Sequence, residues 1–184
     1  ITDIGGSAFS GCTYLKSLGL PLSLNTLDDG TYVVDGCESL SAVSYHGTSD
    51  KAFLYSEIMK IANRAGVTDI DLSGSGISTE NALTLAGKNN LTAFNISDCG
   101  NIDWGTDNGK ALYGRIKALI AAGTEVMFTG SSELDTFVSD DGTAYIFAEG
   151  DSVKLSVYNA RHIGDNETLY MAIGAIENFN LNHQ

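Results

Sequence analysis

The chain has 184 residues, 43% hydrophobic and 18% charged, which excludes a disordered polar tract and suffices for one core or a solenoid with a small second module. Its 10 basic residues against 23 acidic ones give a net charge of −13, so nucleic acid and anionic membrane surfaces are excluded as partners for want of a basic patch. No apolar run approaches the roughly 18 residues of a membrane span, and no direct membrane insertion is expected.

The first segment carries its apolar residues as Ile1, Ile4, Ala8, Phe9, Cys12, Leu15, Leu18 and Leu20, followed by Pro21. That spacing fits neither an amphipathic helix nor an alternating strand. It fits one turn of a solenoid, a short strand and a return arc facing a shared axis. The strand signature recurs as Leu15/Leu18/Leu20, Leu40/Val43/Tyr45, Val67/Ile70/Leu72 and Leu91/Phe94/Ile96, with starts stepping by 25, 27 and 24 residues. These steps lie within the roughly 20–29 residues of leucine-rich repeats. A weaker fifth strand falls at Val126 and Phe128.

The return segments before Cys12 and Cys37 are short and turn-rich, and later ones have helical spacing. A helix is predicted over about 51–65, capped by Ser49 or Asp50 and ended by Gly66, with Leu54, Ile58 and Ile61 on one face. A shorter one runs from Thr79-Glu80 to Gly87, and a third from Thr106 or Asp107 to Gly123. From about residue 131 the texture changes to β-rich runs at 143–147, 153–158 and 168–173, separated by Asp140-Asp141-Gly142, Glu149-Gly150-Asp151 and Gly164-Asp165-Asn166. The expected fold is therefore α/β: a short leucine-rich-repeat solenoid of parallel strands over 1–130, capped by a small C-terminal antiparallel β module over 131–184.

Strand alternation assigns the residues beside the buried leucines to the concave face. The candidate ligand-binding residues are Asp69, Asp71, Asn95, His46 and Glu125, an acidic middle among small polar neighbours. A solvated sheet face is the simpler alternative. No aromatic side chain other than the imidazole of His46 stands there, so stacking on sugars is not expected. No catalytic residue, cofactor or metal is assigned. Nucleophile-elbow, zinc-protease and phosphate-loop motifs are missing, and the acidic turns lack EF-hand spacing. Cys12 and Cys37 read as small buried ladder residues, with a mutual disulfide or a metal site as the alternatives, and Cys99 as packing. Trp104 and Tyr113 read as covering a core edge.

The first segment resembles, nearly position for position, the BspA-type leucine-rich repeat of bacterial cell-surface proteins. The matching residues are Ile1, Ile4, Ala8, Phe9, Cys12, Leu15, Leu18, Leu20 and Pro21, joined in the second repeat by Leu24, Leu27, Val33, Val34, Cys37, Leu40, Val43 and Tyr45. The second repeat lacks the proline after its strand, and from the third repeat Arg64 and Lys88 stand where Cys would be. The resemblance implies an extracellular or cell-surface location and a non-enzymatic adhesion or protein-interaction role toward a host or cell-surface protein partner. Two alternatives stand beside it: a self-associating filament or oligomer subunit stacking through the exposed end at Ile1, and an accessory domain of a carbohydrate-acting enzyme. Starting at Ile1 with neither Met nor a leader, the sequence is expected to be a fragment or a processed product of a larger protein.

Overall fold

The computed structural model describes residues 1–49 and 51–129, together with the backbone of two further strands at 144–149 and 154–159. In chain order the elements are β1 (Asp3–Ile4), β2 (Ser17–Leu20), β3 (Thr26–Leu27), α1 (Gly30–Val33), β4 (Ala42–Tyr45), α2 (Ala52–Ala62) and β5 (Asp69–Asp71). They continue with α3 (Thr79–Ala86), β6 (Ala93–Ile96), α4 (Asp107–Ala121), β7 (Glu125–Phe128), β8 (Ala144–Glu149) and β9 (Lys154–Asn159). The fold is α/β. Strands β2, β4, β5, β6 and β7 form one parallel sheet in that order, β2 pairing past β3 with β4 and each later strand with the next along the chain, while β3 pairs parallel with β1. Parallel neighbours need a crossover between them, and α1 to α4 lie in those connections.

Register turns the leucine spacing into a core. Leu18, Val43, Ile70, Phe94 and Val126 pair in one row across all five strands. A second row pairs Leu20 with Tyr45 and Ile96 with Phe128. All nine are buried, as are Leu54, Ile58 and Ile61 of α2, Leu85 of α3, and Leu112, Ile116 and Ile120 of α4. Each helix thus lays its apolar stripe on the inner face of the sheet, where most of the hydrophobic stabilisation arises. Tyr45 is fully buried with no partner for its hydroxyl among the described residues, and burial pushes its pKa up.

Local chemistry sets the helix ends. Thr106, one of the two starts expected from sequence, caps α4 by accepting from Gly109 N at 3.1 Å. Helix α3 starts at Thr79 as expected, and Ser78, which the sequence reading did not single out, caps it by accepting from Asn81 N at 3.2 Å. The helix predicted over 51–65 is shorter, Ala52–Ala62, with Asn63 and not Gly66 as its C-cap. Ser49 does not cap it, because its hydroxyl accepts from Lys51 N, and Asp50 lies outside the described residues. One single-turn helix, α1, had no counterpart in the sequence reading. It forms because Asp29 accepts from Thr31 N at 3.0 Å while Glu57 of α2 accepts from Gly30 N at 2.8 Å. Lys60 closes that junction at 2.8 Å from Glu57 and 3.3 Å from Asp29.

One expectation fails. Cys12, read as a buried ladder residue, is exposed, and so are Ala8 and Ile1. The first strand-and-return unit is covered by a neighbouring unit on one side alone among the described residues, so its ladder positions remain open. Cys37, one unit along, is buried. Trp104 and Tyr113 do cover a core edge, with ring centroids 5.4 and 6.2 Å from that of Phe128. Strands β8 and β9 pair antiparallel. The third β-rich run, 168–173, and the turns around Asp140 and Gly164 lie outside the described residues.

Candidate functional site: the outer face of the parallel sheet

The parallel register sorts the residues opposite the core into rows. Ser17, Ala42, Asp69, Ala93 and Glu125 form one, and Gly19, Ser44, Asp71, Asn95 and Met127 form the next. All five sequence-predicted residues fall on this side. Asp69 and Asp71 are two residues apart on β5. Asn95 sits beside Asp71 on β6, and Glu125 shares a row with Asp69, one strand further on beyond Ala93. Adjacent strands lie about 4.8 Å apart, so Asp71 and Asn95 are neighbours while Asp69 and Glu125 are about 10 Å apart. His46, just past β4, reaches the end of β5, where its Nδ1 donates to the Ser73 carbonyl at 2.9 Å.

Two serines that sequence reasoning left without a role complete the arrangement. Asp71 Oδ1 accepts from Ser73 N at 3.1 Å and from Ser73 Oγ at 2.8 Å. Asn95 Oδ1 accepts from Ser97 N at 3.0 Å and Ser97 Oγ at 2.7 Å. The signal was present as Asp71-Leu72-Ser73 and Asn95-Ile96-Ser97, the same triplet 24 residues apart. Each acidic or amide head is thereby held in one orientation at the end of its strand, so the face is pre-formed.

The trio Ser73, His46 and Asp71 looks superficially like a nucleophile relay, since His46 Nδ1 also lies 3.2 Å from Ser73 Oγ and 3.9 Å from Asp71 Oδ1. Its wiring is wrong for that. A relay needs the serine on one ring nitrogen and the acid on the other, with the imidazole accepting the serine proton. Here serine and acid meet the same nitrogen, that nitrogen donates to a carbonyl, and the serine proton already goes to Asp71. The trio can present hydrogen-bond partners to a ligand. It cannot activate Ser73.

On this face the pKa of Asp69 is raised by burial first and then by Asp71 and Glu125. A carboxyl whose folded-state pKa is raised destabilises the fold where it is ionised, and that penalty disappears as pH falls through its folded pKa. Asp69→Asn is therefore expected to stabilise the protein at pH 7 by roughly 0.2–0.5 kcal/mol, solvent screening keeping the gain small. Urea denaturation should show that gain shrinking toward zero below about pH 4, where the carboxylates of the parent protein are protonated. A gain that persists at low pH would assign the effect to something other than charge.

A second hollow, of 510 Å³, lies between α2 and α3 and is lined by Tyr55, Met59, Glu80, Asn81, Thr84 and Asn101 among others. Its Asn101 amide is engaged with the Gly76 carbonyl at 3.0 Å. Among the described residues no group of His, Cys, Asp or Glu is placed to hold a metal ion, and no helix is long and apolar enough to cross a membrane. No protein-family model, no curated protein and no solved structure matches this chain.

Proposed function

We propose that this chain is a non-enzymatic protein-binding module of the leucine-rich-repeat type, a short solenoid over 1–130 closed by an antiparallel β module over 131–184. We place it in a secreted or surface-anchored bacterial protein of the BspA-like class. Its partner is a host or cell-surface protein that presents basic side chains to the outer face of the sheet. The observation that carries this reading is the pair of rows running through Asp69, Asp71, Asn95 and Glu125, an acidic strip exposed at Asp69 and half-buried at the other three. Fixed carboxylates of one sign steer and orient a cationic partner. An accessory role beside a carbohydrate-acting enzyme draws no support from this face, since no Phe, Tyr or Trp stands on it.

The test places a photo-crosslinking residue at Asn95 and, in a second variant, at Lys110, which is exposed on α4. Both are incubated with intact cells bearing the partner. One discrete adduct from position 95, none from 110, and at least a tenfold loss on Asp69→Lys with Asp71→Lys is expected. Tenfold corresponds to about 1.4 kcal/mol, modest for two reversed charges. Equal adducts from both faces, or indifference to the charge reversal, would overturn the reading.

A second reading, self-association, is supported by the first unit, where Ile1 is 85% exposed, Tyr14 91% and Leu22 67%. Strand β2 is also the edge of the sheet, and an open edge pairs readily with another chain. Concentration-dependent light scattering that Tyr14→Glu abolishes would favour it over a heterologous partner.

A further inference from the structure

Cys12 and Cys37 are brought together in a way that packing alone does not explain. Each follows a glycine in the same left-handed conformation, Gly11 at φ 76° and Gly36 at φ 70°, so the two Gly-Cys turns repeat one another 25 residues apart. L-residues enter that region at a cost, which is why glycine precedes both cysteines. The two turns are stacked in contact: a Cβ on Gly36 would stand 3.4 Å from both Cα and N of Gly11. Backbone hydrogen bonds bracket the pair, Gly11 N to the Asp35 carbonyl at 2.8 Å before it and Ser39 N to the Thr13 carbonyl at 3.2 Å after it. A ladder step of about 4.8 Å between such segments falls inside the roughly 4.4–6.8 Å that separates the Cα atoms of a disulfide.

The sulfur of Cys37 is aimed across the step. Its thiol donates at 3.1 Å to the Phe9 carbonyl, the same oxygen that accepts Cys12 N at 3.1 Å. Burial raises the pKa of Cys37 most, the Cys12 thiol raises it next, and the Cys12 backbone N–H opposes them. Cys12 itself is exposed, so its thiol is open to a reagent in solution. Cys99 belongs to a later unit, with its thiol donating to the Leu72 carbonyl at 3.0 Å.

We propose that Cys12 and Cys37 form a reversible disulfide that pins the first unit to the second, with Cys12 as the point of entry. The oxidant is a low-molecular-weight disulfide of the glutathione class. The Cys12 thiolate attacks one of its sulfurs, the external S–S bond breaks, and one thiol leaves. Cys37 then gives its proton to solvent, and its thiolate attacks Cys12 Sγ and expels the second thiol. Two protein thiols are oxidised to one disulfide, and one external disulfide is reduced to two thiols. The second step is the slower one and quickens as pH rises, because the buried Cys37 thiol ionises reluctantly.

The experiment treats the protein with oxidised glutathione at pH 8 and counts thiols after denaturation. Free thiols should fall from three to one, with a mass-identified link between the peptides bearing Cys12 and Cys37 that dithiothreitol reverses. The oxidised form should melt higher by on the order of 10 °C, since the link closes a long loop. Cys12→Ser, an exposed substitution that leaves the core intact, should form no intramolecular link. A product with Cys12 capped by glutathione and Cys37 still free, a link to Cys99, or a link between chains would overturn the proposal.

Discussion

Phe94→Ala is expected to lower the unfolding free energy by about 3–5 kcal/mol, the range for removing a large aromatic side chain from a packed interior. Phe94 is 1% exposed, lies on β6, and pairs with Ile70 on one side and Val126 on the other. Strand neighbours held by parallel hydrogen bonds on both sides cannot close in on the space the ring leaves, so most of the cavity cost is retained. The row through Phe94 spans all five strands, and a gap at its fourth position uncouples β7 and α4 from the rest. Guanidinium denaturation followed by circular dichroism should show the midpoint falling, with loss beginning at the α4–β7 end in hydrogen exchange. Met127→Ala is the control: it sits on the other face of the neighbouring strand, 40% exposed, and should change stability by no more than about 0.5 kcal/mol. A Phe94 variant as stable as the parent would mean that the row is not the core.

The strands and the α3 and α4 helices were legible because their signals are local and repeated. The L-x-x-L-x-L spacing names the inward residues directly, and the Thr106 cap of α4 acts over three residues. Cys12 shows where that logic stops. A ladder position is buried by the units on either side of it, and the residues of one repeat do not say whether both sides are covered. Helix α1 was missed for a related reason, because Glu57, which holds Gly30 N, lies 27 residues away. Among the site residues, the shared face of Asp69, Asp71, Asn95 and Glu125 follows from strand alternation. What alternation could not supply was orientation. That comes from Ser73 and Ser97, whose meaning appears only when the strands end and the backbone turns each serine back onto its acidic or amide partner.

The same substitution at two positions of α4 is expected to act with opposite sign. Helix propensity alone favours alanine over glycine by roughly 0.5–1 kcal/mol at either site. At Gly114, exposed in mid-helix, an added Cβ meets nothing within 4 Å, so Gly114→Ala should stabilise the protein by about that amount. At Gly109 the Cβ would overlap the Asp103 carbonyl oxygen and stand 2.6 Å from Trp104 Cα and 2.8 Å from Trp104 C. All three are backbone atoms, and no rotamer change relieves them. The helix start must move away from the Asp103–Trp104 segment, which loosens Trp104 against Phe128 and its Nε1 hydrogen bond to the Thr129 carbonyl at 3.2 Å. Overpacking of this kind costs about 1–3 kcal/mol, which outweighs the propensity gain, so Gly109→Ala should destabilise. Trp104 is the sole tryptophan, and its emission reports the site directly. It should shift to the red in the Gly109 variant and stay unchanged in the Gly114 variant. Equal and positive stability changes at both positions would show that α4 does not start against Trp104, and would remove the edge cover from Phe128.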